Sequence, residues 1–261
     1  MRKIEGLELL EKKLENKFKE HAFKYDMNDE KIAKKYYHSL RVKDFAKKIA
    51  EYEKLSSHEI KLAVIIGILH DYARFEQWKL YNTYSDVDSI DHGDLAVELL
   101  FDKGEINNFY NIESDFEKIK LAIMYHNKIN VPSRISGDEL MLCNIIRDAD
   151  KLDIFNILIE NKSFLIEDNN DISENVKKCF YSNKAINYSD LKSKSDKIIL
   201  TLGLFYDINS KFSYDYINKN KIIEKLYNKV ENKAKYKEYF EHINGYIVGK
   251  LDNLKVLLEK E

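Results

Sequence analysis

One proline and eight glycines are all that this chain of 261 residues has with which to interrupt a helix. Lys, Glu, Leu and Ile are abundant, and apolar residues recur three and four positions apart, the spacing of one helix face. The pattern predicts an all-α fold. A chain that is 44% hydrophobic and 34% charged reads as a soluble globule, neither a disordered tail nor a membrane bundle. Its 43 Lys and Arg against 45 Asp and Glu leave a net charge of -2, with no overall pull toward nucleic acid or anionic lipid. The longest apolar run, Leu62 to Leu69, falls far short of the ~20 residues a spanning helix needs. Two cysteines, Cys143 and Cys179, suit a reducing compartment, and Met1 to Lys19 lacks a signal-peptide pattern. A cytoplasmic location is expected.

Periodicity places helices over about Glu8 to Phe23, Ile32 to Glu51, Ser57 to Asp71, Asp91 to Phe101, Phe116 to His126 and Asp138 to Asn161. Further helices are read over Ser173 to Phe180, Ser189 to Tyr206, and Tyr214 to the end with a break near Gly245 or Gly249. The helix that starts at Ser57 is apolar all round at Leu62-Ala63-Val64-Ile65-Ile66, so it belongs at the centre of a bundle. Phe75 to Ile90 loses the period and reads as a loop, with Asn82, Ser85, Asp86 and Asp88 as turn formers. The Asn and Asp cluster from Asp168 to Asp171 marks a second loop. The expected division is a helical domain over 1–165 and a helical segment over 166–261, packed on the same core or serving as a lid or oligomer contact.

The most informative pair is His70-Asp71, at the end of the most apolar helix. A carboxylate beside a histidine at a buried helix end costs several kcal/mol of desolvation unless a partner offsets it, and a bound cation is one such partner. His38 shares a face with Val42, Phe45 and Ile49, and His126 shares one with Ile119, Ala122 and Ile123. His92 sits in the first turn of a helix that turns Leu95, Ala96 and Leu99 inward, with Asp91 as its cap. Four histidines and Asp71 on separate helices of one bundle form a metal constellation. The next long helix adds Asp148 and Asp150, each on an apolar stripe, and periodicity does not choose between them.

His38, then His70-Asp71, then Asp150 in Ala149-Asp150-Lys151-Leu152 resembles the ordered H…HD…D signature of the HD-domain superfamily of metal-dependent phosphohydrolases. The similarity runs over roughly Lys34 to Phe155. It implies an HD-type helical bundle with additional C-terminal helices, and His38, His70, Asp71 and Asp150 as ligands, with Asp148 second to Asp150. His92 and His126 fall where members that bind two metals add two histidines, and Asp71 would then bridge the ions as the catalytic carboxylate. The implied cofactor is one or two divalent transition ions, Fe or Mn first and Zn, Co or Ni after them. The implied reaction is metal-activated hydrolysis of a phosphoester or phosphoanhydride in a nucleotide or another small phosphorylated metabolite. Arg74, three residues after Asp71, is the first expected substrate-binding cation, followed by Lys128, Lys151 and Arg41. Neither a membrane nor a nucleic acid is expected as partner, and a homodimer is left open. The alternatives are an HD-type di-iron oxygenase and a regulatory module that a metal merely ties together.

Overall fold

The computed structural model describes residues 2–161, 168 and 170–258. Every regular element among them is helical, so the all-α reading holds. No helix among the described residues is long and apolar enough to cross a membrane. The chain falls into two compact units, Met1–Asp150 and Lys151–Glu261. The 165/166 boundary read from the sequence lies outside the described residues.

The first unit contains α1 (Arg2–Ala22), α2 (Glu30–Tyr52), α3 (Ser57–Leu69), α4 (Arg74–Tyr81), α5 (His92–Val97) and α6 (Phe116–Tyr125). It also takes in the first part of α7 (Gly137–Glu160). Helix α3 is central, as expected, with every residue from Leu62 to Leu69 buried. It starts at Ser57, as read, behind a capping box: Ser56 accepts from the Glu59 amide, and the Glu59 carboxylate takes the Ser56 amide. Gly67 lets α3 lie close against α2, because a Cβ there would stand 2.7 Å from the Lys43 Cα. Asp29 caps α2 and also accepts from the Trp78 indole at 2.7 Å, which ties α4 to the start of α2.

Three expectations for this unit need correction. Helix α1 begins at Arg2, not Glu8. The segment read as a loop from Phe75 opens with α4, whose buried residues are Phe75 and Gln77. A buried glutamine breaks the apolar period while leaving the helix intact, which is why the pattern vanished there. Helix α5 is shorter than read and widens into a π-type turn over Glu98–Asp102.

The second unit holds the end of α7, then α8 (Glu174–Tyr181), α9 (Lys194–Gly203), α10 (Lys211–Lys219), α11 (Ile222–Tyr227) and α12 (Lys233–Leu258). Phe155 stacks on Phe205 at 4.1 Å, and the buried Asp196 carboxylate accepts from the Ser173 and Lys192 amides. Helix α9 starts at Lys194 with Ser193 as its cap, so the start read at Ser189 is too early; Ser189 lies in a separate 3-10 turn. The helix expected from Tyr214 onward breaks at Asn220-Lys221, where Lys221 has φ 51°, and again before Lys233. Neither Gly245 nor Gly249 interrupts α12. A helical glycine costs only about 1 kcal/mol relative to alanine, too little to end a helix that packing holds.

An aromatic cluster in the first unit encloses His21, which stacks on Tyr72 at 3.9 Å and meets Phe18, Tyr25 and Phe75. Burial pushes this imidazole down to about 4 from an ordinary 6.5. As pH falls below about 6.5, the unfolded chain takes up a proton that the folded ring refuses, so stability drops until about pH 4 and then levels off. His21→Phe should therefore remove about 2 kcal/mol of the stability difference between about pH 7.5 and pH 5. Urea unfolding at the two pH values measures it, and an unchanged difference would rule out a neutral buried His21.

Candidate metal centre

The centre lies within the first unit and consists of two half-sites built alike. In the first, α2 presents His38 and the end of α3 presents His70. His70 Nδ1 donates to the Gly67 carbonyl at 2.8 Å, so its Nε2 carries the free lone pair. That Nε2 lies 3.3 Å from His38 Nε2 and 3.8 Å from Asp150 Oδ1, while His38 Nε2 lies 3.0 Å from the same oxygen. Asp150, of the two aspartates that periodicity left open, thus faces both rings. Asp148 is fully buried in the same helix.

In the second half-site, the first turn of α5 presents His92 and the end of α6 presents His126. Their Nε2 atoms are 2.9 Å apart. His126 Nδ1 donates to the Ile123 carbonyl at 2.6 Å, and His92 Nδ1 donates to Asp86 Oδ2 at 2.6 Å. Gly93 permits this approach, since a Cβ there would stand 2.7 Å from Asn127 Oδ1 and 3.0 Å from the Met124 carbonyl. Asp91 caps α5 by accepting from the Gly93 and Asp94 amides.

Asp71 stands between the half-sites with one oxygen toward each. Its Oδ2 is 3.5 Å from His38 Nε2 and 3.6 Å from His70 Nε2; its Oδ1 is 3.4 Å from His92 Nε2 and 3.8 Å from His126 Nε2. Each oxygen also meets a cation: Lys35 Nζ at 2.7 Å on Oδ2, and Arg74 Nε at 3.4 Å on Oδ1. Burial works to raise the Asp71 carboxyl, but Lys35 foremost, with His70, His126 and Arg74, holds it well below the usual carboxylate range. Asp150 is likewise held low, by His38 against burial.

The donor set fits divalent cations. With His92 Nδ1 donating to Asp86 and His126 Nδ1 donating to the Ile123 carbonyl, the Nε2 lone pairs of the two rings face each other across 2.9 Å. Burial lowers His92 to about 4, as it lowers His70 to about 3, so no added proton on the His92 ring relieves this opposition at neutral pH. A cation between the rings would turn the repulsion into ligation. Two nitrogens about 2.1 Å from one ion stand about 3.0 to 3.4 Å apart at octahedral or tetrahedral angles, which matches both His pairs. His38, His70 and Asp71 form one cluster able to hold an ion, and Asp71, His92 and His126 form a second.

The expected substrate-binding cations are placed differently from one another. Arg74 is at the centre, with Nη1 on Gln77, the Tyr84 carbonyl and Asp86. Lys128 pairs with Asp91 and Asp94 beside α5. Lys151 is buried in the second unit and pairs with Asp207 at 2.6 Å, and Arg41 is exposed on α2. Sequence reasoning missed Lys35 and took Asp86 only for a turn former. Lys35 was accessible in principle, since it precedes His38 by three residues on one helix face. Asp86 lies in an aperiodic segment and gave no such sign.

A family model described as HD domain matches residues 36–154, a span that holds His38, His70, Asp71, His92, His126 and Asp150. No curated protein and no solved structure matches the chain.

Gly93→Ala should force α5 off the end of α6 and separate His92 from His126. The expected cost is about 1 to 3 kcal/mol of stability, together with loss of metal binding at that pair. Thermal unfolding and metal titration check it; wild-type values for both would show that the close approach is not required.

Proposed function

The chain carries an HD domain over residues 36–154, the domain of a superfamily of metal-dependent hydrolases, and from that premise we propose a phosphohydrolase that acts on a nucleotide or another small phosphorylated metabolite. The observation that supports this most is the shared Asp71, with one oxygen toward each of two facing imidazole pairs. On this reading His38, His70, Asp150 and Asp71 would hold one ion, and His92, His126 and Asp71 would hold a second. Iron or manganese suits the mixed imidazole and carboxylate donors, as do Zn, Co and Ni. When bound, such ions supply Lewis acidity toward a phosphoryl oxygen and a water acidic enough to lose its proton near neutral pH.

The chain's own residues do the rest. His70, His92 and His126 each set Nδ1 against a fixed acceptor, so each presents Nε2 as a ligand. Lys35 and Arg74 place two positive charges at Asp71, where the negative charge of a phosphoryl group would gather. Arg74 uses Nε and Nη1 in its contacts with the protein, which leaves the Nη2 edge to meet a phosphate oxygen. Of the four cations expected from sequence, the reading keeps Arg74 as the substrate clamp.

A panel of nucleotides and small phosphoesters, offered to protein loaded with Mn or Fe, tests the proposal through phosphate or nucleoside release. Asp71→Ala should lower kcat/KM at least about a thousandfold, equivalent to about 4 kcal/mol. Undiminished turnover in that variant would remove this centre from the reaction. Substrate-dependent oxygen uptake by the iron-loaded protein, with no hydrolysis, would replace the proposal with an oxygenase. Metal-dependent stability without any turnover would point to a regulatory module.

A further inference from the structure

Residues 82–91, between α4 and α5, are held in place by side chains. Asp86 lies in the middle of this segment, and four donors converge on its carboxylate. His92 Nδ1 at 2.6 Å and Asn127 Nδ2 at 3.1 Å reach Oδ2; Gln77 Nε2 at 2.9 Å and Arg74 Nη1 at 3.0 Å reach Oδ1. Gln77 is fully buried and extends the same network. Its Nε2 also reaches Ser89 Oγ and the Ile90 carbonyl, and its Oε1 accepts from Arg74 Nη1 at 2.7 Å. Arg74 Nη1 in turn reaches the Tyr84 carbonyl at 2.7 Å.

His92 depends on this segment in a way that His70 and His126 do not. The latter two end their helices and lean on a carbonyl three residues back, Gly67 and Ile123, so their ring orientation comes with the helix itself. His92 opens its helix, where no helical carbonyl lies three residues behind it, and its Nδ1 turns to Asp86 instead. We infer that Asp86 is the positioning residue of the second half-site, so that the affinity for the second ion is set by the 82–91 segment while the first ion is indifferent to it. The inference rests on the two-ion reading given above. A carboxylate behind a ligating imidazole fixes the ring and raises its basicity, and losing such a partner typically costs about 10- to 100-fold in metal affinity.

The test uses the full chain, freed of metal and titrated with Mn2+ by calorimetry and electron paramagnetic resonance. The wild type should take up two ions and show a spin-coupled signal. Asp86→Asn should weaken the second ion by about 10- to 100-fold, leave the first within about twofold, and lose the coupled signal at Mn2+ levels that saturate the wild type. Gln77→Met keeps the bond from Asp86 to His92 but unties the segment, so it should weaken the second ion alone and by less. If Asp86→Asn does not fold, Gln77→Met decides the matter. Unchanged affinity for the second ion in the folded variants overturns the positioning role and leaves the metal reading standing. Equal weakening of both ions also overturns it, because a general loss of packing acts that way. A wild-type chain that binds fewer than two ions overturns the two-ion reading and this inference with it.

Discussion

A buried carboxylate shared between two pairs of facing imidazoles is the constraint around which the first unit is arranged. Asp71 is 2% exposed, and a charge so placed is tolerated only where other groups balance it. Lys35 and Arg74 supply part of that balance, one at each oxygen. His70 and His126 add to the hold on the carboxylate, although burial keeps the His70 and His92 rings from taking up a proton near neutral pH. What remains is a pocket of lone pairs and carboxylate oxygens whose spacing suits cations better than it suits the bare protein.

The two half-sites reach this arrangement by the same device. In each, a glycine lets two helices approach until a backbone atom or carbonyl would collide with any Cβ: Gly67 against Lys43, and Gly93 against Met124. In each, one histidine ends a helix and turns its Nδ1 back onto that helix. The difference lies in the second ring. His38 projects from the middle of a long buried stripe, whereas His92 opens a short helix and leans on a loop aspartate. The half-sites thus share a construction but not a source of rigidity.

Much of this was legible in the sequence, and the reasons are specific. His38 and His126 betray themselves by sitting on apolar stripes, and His70-Asp71 by closing the one helix that is apolar on every side. The fold class followed from the scarcity of breakers. Gln77 and Asp86 stayed hidden because polar residues that satisfy one another inside a protein look, in a sequence, like surface residues; α4 was lost for the same reason. The glycines show the limit in another form. Gly67 and Gly93 are each required by what lies across from them, while Gly245 and Gly249 face open space within a continuous helix, and no local pattern separates the two kinds.

The claim on which the account rests is that Asp71 bridges two cations, each gripped by its own pair of imidazoles. Anomalous diffraction from crystals of the metal-loaded protein, recorded at the absorption edge of the bound metal, tests it most directly. The account predicts two peaks, one between His38 and His70 and one between His92 and His126, with an Asp71 oxygen against each. A single peak, or peaks away from Asp71, would contradict it.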